Sequence, residues 1–323
     1  MAKLRTGVVG VGHLGQHHAR LYAALPDSTL IGVTDQDPGR ARVIADRYGA
    51  QTFTSLSDLL KQVDVVSVAV PTSAHYAVTK ACLEAGTHVL VEKPIAVLPA
   101  EAQELVELAK AKGCRLQVGH SERFNPIMQI MRPHIQRPVF IECHRLGTYS
   151  ERGTDVDAVL DLMIHDLDLV LSFNPGLVEE VRAAGVPVLS STIDIANARI
   201  QFQSGCVANL TASRVSLTKM RRLRVFQRDS YLSIDFQTRQ GMIGRRSADQ
   251  SRRPSIAIEE FKGSDGEPLK LQLESFLQSV RTESCPVVSG EDGAAALVVA
   301  HQVLAALNSF TDRHIGTIGE GRG

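Results

Sequence analysis

The chain has 323 residues, enough for two domains rather than one enlarged core. Its 35 Lys and Arg balance 35 Asp and Glu, so no net field calls for nucleic acid or acidic lipid as a partner. No apolar run approaches the roughly 20 residues of a membrane span. The opening stretch, Met1 to Gly12, is punctuated by glycine where a signal peptide needs an apolar core. Cys82, Cys114, Cys143, Cys206 and Cys285 are scattered, odd in number and without metal-ligand spacing, which suggests a reducing compartment and a cytoplasmic location.

Apolar runs predict strands over 5–10, 30–34, 63–70, 88–91 and 116–118, with helices over 16–25, 40–48, 55–60, 73–85 and 100–111 between them. Ser55 or Ser57 is placed to cap the third helix, and Gly49, Gly86 and Gly113 stop three of the others. Strands alternating with helices through short loops predict a parallel sheet covered on both faces. From about residue 121 the rhythm changes. After a helix over 124–131, β-branched segments at 139–144, 181–188, 191–202, 206–213, 222–227 and 230–236 follow on connections too short for crossover helices, so they pair mostly antiparallel. Ser204-Gly205 reads as a hairpin turn, and 237–255 reads as a polar, basic loop. Helices are expected over 271–279 and 291–310, with a loose tail from Gly316. The fold class is thus α/β, with a nucleotide-binding domain over 1–120 and an α+β domain over 121–323. The final helix has a choice between its own domain's sheet and a return to the first domain.

Gly10-x-Gly12-x-x-Gly15 lies between the first strand and the first helix. There the first glycine permits a tight turn, the second close approach to a pyrophosphate and the third helix–strand packing. The diphosphate sits at the helix N-terminus. Asp35 closes the second strand 20 residues beyond Gly15, where a carboxylate accepts from ribose hydroxyls and repels a 2′-phosphate. Gln36, not an arginine, follows it, which favours NAD over NADP. A second stretch, 159–173, reads as a helix whose apolar face is interrupted by Asp161, His165, Asp166 and Asp168. Asp161 and His165, four apart, fall one turn apart on one face. A packed, hydrogen-bonded histidine on an Asp-rich helix explains the same residues.

Pro71-Thr72-Ser73-x-His75, Ala85-Gly86-x-His88-Val89 and Glu92-Lys93-Pro94 stand in order behind the glycine loop. With these motifs the chain resembles the Gfo/Idh/MocA oxidoreductase family over nearly its whole length. The resemblance implies an N-terminal Rossmann domain that binds NAD, and a C-terminal domain on a large, mostly antiparallel sheet that often forms a homo-oligomer interface. It makes Lys93 the active-site lysine, with Pro94 shaping its backbone, and makes Asp161 and His165 the catalytic Asp-x-x-x-His pair. Gly10, Gly12, His13, Leu14, Gly15, Asp35, Pro71, Thr72, His75, Glu92 and Lys93 become the expected cofactor-binding residues. His120-x-Glu122-Arg123-Phe124-Asn125-Pro126, His144-Arg145-Leu146, the 152–157 segment and the 159–173 helix resemble a narrower branch. Its members oxidise the 3-hydroxyl of UDP-N-acetylglucosamine and feed an aminotransferase that makes a 3-amino sugar for lipid A.

Oxidising a secondary alcohol needs a hydride acceptor and a base within reach of the hydroxyl. His165 titrates near neutrality and suits the base, Asp161 orients it or binds a neighbouring hydroxyl, and Lys93 stabilises the developing alkoxide. A lysine of lowered pKa is an alternative base. Arg123 and Asn125 are candidates for sugar hydroxyls, although Asn125 before Pro126 is equally an N-cap. Arg145 and Arg152 are lesser candidates, and the basic run Lys219-x-Arg221-Arg222-x-Arg224 meets either a diphosphate or solvent. His17 and His18 need no special role, and no metal is required. The competing readings are a dehydrogenase of an inositol or another sugar, and a regulatory protein that binds NAD without turning it over.

Overall fold

The computed structural model describes residues 2–149, 156–246 and 256–314. The chain forms two units, Met1–Ser121 with Glu267–Leu297, and Glu122–Gly266 with Val298–Gly323.

The first unit alternates β1 (Leu4–Val9), α1 (Gly15–Ala24), β2 (Ser28–Thr34), α2 (Pro38–Tyr48), β3 (Gln51–Thr52), α3 (Leu56–Leu60), β4 (Val65–Val68), α4 (Thr72–Glu84), β5 (His88–Val91), α5 (Pro99–Lys112) and β6 (Leu116–Val118). The strands form a parallel sheet in the order β3-β2-β1-β4-β5-β6, the doubly wound order of dinucleotide-binding domains. Every residue of β4 is buried, as expected of a central strand covered on both faces. Helix boundaries follow local chemistry. The Asp37 carboxylate accepts from the Gly39 and Arg40 N–H groups to open α2, with Pro38 at its first position, and Gly49 closes it at φ 66°. Ser55 precedes α3, but its hydroxyl pairs with Ser57 Oγ at 2.8 Å rather than capping the backbone.

The second unit begins within a 3₁₀ turn (Ser121–Phe124), which α6 (Pro126–Met131) follows. One continuous helix was the expectation there. Pro126 disfavours helical geometry in Asn125, which stays extended at ψ 127°. Then come β7 (Phe140–Leu146), a π turn (Val159–Met163) running into α7 (Ile164–Ser172), and seven strands: β8 (Val178–Val186), β9 (Ile195–Phe202), β10 (Val207–Ser213), β11 (Met220–Phe226), β12 (Ser230–Asp235), β13 (Gln240–Arg246) and β14 (Ile256–Lys262). They form an eight-stranded sheet in the order β14-β13-β12-β11-β7-β10-β9-β8, antiparallel throughout except for the β7–β10 pair. Gly205, at φ 84°, makes the β9–β10 turn. Alternate residues such as Ile141, Cys143, Ala198, Leu210, Leu223 and Ile234 are buried, while Glu142, His144, Asn209, Arg222 and Arg224 between them are only half-buried.

The loop expected over 237–255 is corrected by β13. Its polar ends, Gln240 and Arg246, hide a buried Gly241-x-Ile243-Gly244 centre that pairs with strands on both sides. Strand β14 carries no burial alternation and left no sequence signal, being exposed along almost its whole length. The remainder of that expected loop, 247–255, and the tail from residue 315 lie outside the described residues.

Two C-terminal helices follow, α8 (Pro268–Arg281) and α9 (Gly290–His314). Helix α8 groups with the first unit, where Leu273, Phe276 and Leu277 join the core of Tyr22, Leu25 and Val33. Burying a side chain such as Phe276 contributes about 1.5–3 kcal/mol, enough to fix the helix there. The division between the units falls inside α9, after Leu297. Beyond it, Leu307 packs against Gly185 of β8, where a Cβ would come within 2.9 Å.

Candidate active site

The glycine loop turns out of β1 at Gly10, whose φ of 82° and 2.8 Å hydrogen bond to the Thr34 carbonyl set the turn. A Cβ on Gly10 would meet the Ala69 carbonyl oxygen at 2.8 Å, and one on Gly15 would collide with the Gly10 carbonyl. Gly12 differs. No atom lies within 4 Å of the place its Cβ would occupy, so the protein leaves open the space that a pyrophosphate approaching the N-terminus of α1 needs. His13 and Leu14 are exposed beside it. Asp35 faces the loop, its Oδ2 accepting from Val11 N–H at 2.8 Å and its Oδ1 from Asp37 N–H at 2.9 Å. Each oxygen has a second lone pair for a ribose hydroxyl. Arg40, which sequence reasoning missed, stands 3.5 Å from Asp35 Oδ1. These residues fit NAD.

At the C-terminal end of β5 the chain enters Glu92-Lys93-Pro94 through a cis Lys93–Pro94 peptide, with Lys93 half-buried. Pro71 precedes α4, and Thr72 opens it. His75, expected at the cofactor, is buried with Nδ1 2.7 Å from the Pro94 carbonyl and Nε2 2.9 Å from the Val70 carbonyl. Burial pushes its pKa down, partly offset by the two carbonyls. The ring thus lies between the end of β4 and the turn carrying Lys93, and in its neutral form the single N–H donates to one of the two carbonyls. Glu92, also expected at the cofactor, is buried with Oε1 2.9 Å from His18 Nε2. Burial opposes its charge, but the His18 hydrogen bond and the nearby charges of His18 and Lys93 outweigh that and hold the carboxyl below its ordinary range. The expectation that His18 has no special role is therefore corrected. Its spacing on α1 resembles that of any core residue, and only the fold brings Ser67 and Glu92 to its two nitrogens.

In the second unit, Asp161 lies in the π turn and His165 in the first turn of α7, both half-buried. Residues four apart overshoot one α turn of 3.6 residues. The winding from Asp161 to His165 thus departs from that of a plain α-helix, and π turns are frequent at functional sites. The other charges of the helix face the protein. The Arg145 guanidinium forks onto Asp166 at 2.8 and 3.0 Å and reaches Glu122 at 3.0 Å. Although burial alone would lower the pKa of Arg145, the two carboxylates raise it and keep the side chain charged. Arg123 forks onto Asp168 at 2.6 and 2.7 Å. Asn125 caps α6 through Ile127 N–H and donates to Glu122 and the Phe236 carbonyl.

Arg123, Asn125 and Arg145, expected at the substrate, thus each carry hydrogen bonds that hold the second unit together. Arg152 lies outside the described residues. The run from Lys219 to Arg224 does not form one basic patch. On β11, Arg221 lies on the opposite face from Arg222 and Arg224, and acidic neighbours stand within 4 Å of each: Glu122 at 3.5 Å, Asp235 at 3.7 Å and Glu142 at 3.1 Å. A further node went unread in the sequence. Asp194 accepts from the N–H groups of Val188, Leu189 and Ser190 and from Arg214, whose Nη1 donates to the Val156 carbonyl just ahead of the π turn.

A dinucleotide-binding α/β unit carrying a lysine at a strand end, with a second unit built on a broad sheet, defines an NAD-dependent oxidoreductase. Residues 4–120 match the profile described as "Oxidoreductase family, NAD-binding Rossmann fold", and residues 135–232 match the Gfo/Idh/MocA C-terminal domain. The chain belongs to the Gfo/Idh/MocA oxidoreductase family. It is 37% identical over 315 residues to UDP-N-acetylglucosamine 3-dehydrogenase of Acidithiobacillus ferrooxidans, covering 97% of this chain and 100% of that one. A solved structure of that enzyme superposes with a TM-score of 0.91 over 96% of this chain and 99% of the other, at 37% identity. Myo-inositol 2-dehydrogenase of Thermotoga maritima is 25% identical, with 94% of this chain and 96% of that protein covered. No helix among the described residues is long and apolar enough to cross a membrane.

Proposed function

We propose that the protein oxidises the 3-hydroxyl of UDP-N-acetylglucosamine to the 3-keto sugar. The observation that carries this reading is end-to-end similarity, at 37% identity, to an enzyme named for that reaction. Bound NAD supplies the hydride acceptor. The residues of this chain handle the proton and the charge. His165 removes the proton of the sugar hydroxyl, and Asp161 orients the imidazole and stabilises its protonated form. Lys93 donates to the sugar oxygen as charge develops there. The hydride leaves the carbon, the proton goes to His165, and the carbonyl forms. Gly10, Gly12 and Gly15 cradle the diphosphate with His13 and Leu14 alongside, Asp35 takes the ribose, and Pro71 and Thr72 border the nicotinamide end.

The product suits a transaminase, which converts a ketone to an amine, so an aminotransferase is the expected pathway partner. Five unpaired cysteines accord with a reducing, cytoplasmic setting. The outward face of the eight-stranded sheet carries a ring cluster, Phe140–Phe226 at 5.6 Å and Phe226–Tyr231 at 4.9 Å, which supports a homo-oligomer formed through that face. NADH absorbance, followed with UDP-N-acetylglucosamine, other UDP-sugars and myo-inositol in the presence of an aminotransferase and amino donor, tests the substrate. Turnover of myo-inositol without turnover of the UDP-sugar would replace this reading with the inositol one, and NAD binding without turnover of anything would favour a regulatory protein.

A further inference from the structure

The helix that carries Asp161 begins against a buried polar node within the second unit. Asp194, the last residue before β9, has no solvent exposure, and Arg214, directly after β10, has 5%. Asp194 Oδ2 accepts from the N–H groups of Val188, Leu189 and Ser190 at 2.6–2.9 Å. Its Oδ1 accepts from Ser190 Oγ at 2.6 Å and from Arg214 Nε at 2.8 Å. The ends of the guanidinium reach further. Nη1 donates to the Val156 carbonyl at 3.0 Å, and Nη2 donates to Thr192 Oγ1 at 2.6 Å and to the Ile193 carbonyl at 3.1 Å.

Ile193 passes this anchoring on to the helix. Its carbonyl also accepts from Ala158 N–H at 2.9 Å, and its own N–H donates to Asp157 Oδ1 at 2.9 Å. The Asp157 carbonyl in turn accepts from Asp161 N–H at 2.9 Å. A continuous run of hydrogen bonds therefore leads from Arg214 through Ile193 and Asp157 to the backbone of Asp161. The winding there is the π turn Val159–Met163, a rare form whose retention calls for anchored ends. Its far end is held separately, because Arg145 forks onto Asp166 in the first turn of α7.

We infer that Asp194 and Arg214 are positioning residues which fix, through Ile193 and Asp157, where the π turn starts and hence where Asp161 stands. This rests on the reading of Asp161 as the catalytic partner of His165. The two members of that pair then have separate anchors, Arg214 for Asp161 at the start of the helix and Arg145 for His165 in the turn that follows. Arginine is needed at 214 because a planar fork donates in several directions at once, whereas a lysine ammonium donates from a single point. The Asp194 carboxylate gathers the β8–β9 loop around the guanidinium, and neither side chain is assigned a contact with the reacting atoms.

Two measurements on the full chain decide this. Hydrogen exchange without ligands, read by mass spectrometry on peptides covering 157–165, follows the winding itself. Steady-state kinetics with NAD and UDP-N-acetylglucosamine, coupled to the aminotransferase, follow catalysis. Arg214→Lys speeds exchange in that segment by at least about tenfold and lowers kcat by about ten- to a hundredfold, while KM for NAD stays within about twofold. Asp157→Ala, which cuts the link without leaving the buried Arg214 or Asp194 unpaired, does the same and serves if Arg214→Lys does not fold. Ile243→Ala, a core change on β13, lowers the melting temperature and moves neither readout. In the Asp161→Asn background Arg214→Lys costs no more than about a further twofold in kcat, because the residue it positions is already disabled. Unchanged exchange in Arg214→Lys, full turnover despite faster exchange, or losses that multiply in the double variant each overturn the inference. Turnover preserved in Asp161→Asn overturns the reading of Asp161 instead, and no turnover of this sugar by the parent overturns the substrate reading, with the exchange result still deciding whether Arg214 holds the turn.

Discussion

Replacing Arg145 with methionine separates a structural from a substrate-binding role more cleanly than any other single change in the second unit. The guanidinium makes three hydrogen bonds of 2.8–3.0 Å to Asp166 and Glu122, and all three side chains are less than 10% exposed. Methionine fills most of the volume but leaves two carboxylates facing each other with only the more distant Arg221, 3.5 Å from Glu122, as a cation. Breaking a buried ion pair on one side costs about 3–5 kcal/mol. For a chain of 323 residues that lowers the melting temperature by about 4–8 °C at pH 7. The sign of the pH dependence is fixed. In the variant the Asp166 carboxyl has a folded-state pKa raised further above its unfolded one, as burial already raises it in the native chain. Protonation then favours the folded state, so the deficit narrows as pH falls towards the carboxyl range. Thermal unfolding at several pH values measures this, alongside KM for the nucleotide sugar. A melting temperature within about 2 °C of the parent, together with a KM raised at least about tenfold, would show that Arg145 serves the substrate after all.

Gly12→Ala weakens NAD binding by at least about tenfold in a fluorescence titration with little change in melting temperature, because its Cβ meets only the ligand's space. Gly10→Ala instead destabilises the fold through its φ of 82° and the Ala69 carbonyl. Asp35→Ser raises the kcat/KM ratio for NADP over NAD by at least about tenfold, and Arg40→Ala in that background removes the gain, since Arg40 is then the cation nearest the 2′-phosphate. His165→Ala lowers kcat by about 10²–10⁴ while NADH binding is retained; unchanged kcat would exclude His165 as the base. Asp194 is held below the ordinary carboxyl range, because the Ser190 hydroxyl and three backbone N–H groups outweigh the opposing effect of burial. Its stabilisation is present above the unfolded carboxyl value and is lost as pH falls through the folded one. Asp194→Asn therefore melts lower at pH 7 and shows a flatter decline below about pH 4 than the parent, whereas parallel curves would contradict this account.

The first unit was legible nearly element by element because its signals are local. The glycine loop, the apolar run of β4 and the glycine stops act within a few residues of themselves, so the parallel sheet and the NAD cradle follow without tertiary knowledge. Strand β13 was missed for the opposite reason. Its polar ends resemble a loop, and what makes it a strand is partners on both sides that no window of sequence contains. His18 failed in the same way, since its meaning lies in Ser67 and Glu92, 49 and 74 residues away.

The helix at 159–173 shows where the limit falls. Charges interrupting an apolar face have two physical explanations, a catalytic group turned to a ligand or a buried charge met by a counterion. On the proposed reading both operate on this one helix, one residue apart. Asp166 and Asp168 are answered by Arg145 and Arg123, two of the arginines that the sequence offers as sugar ligands. Asp161 and His165 are half-buried, with Asp161 in a π turn that periodicity does not reveal. The acidic helix and the basic candidates were thus separate puzzles in sequence and become a single set of ion pairs in the fold.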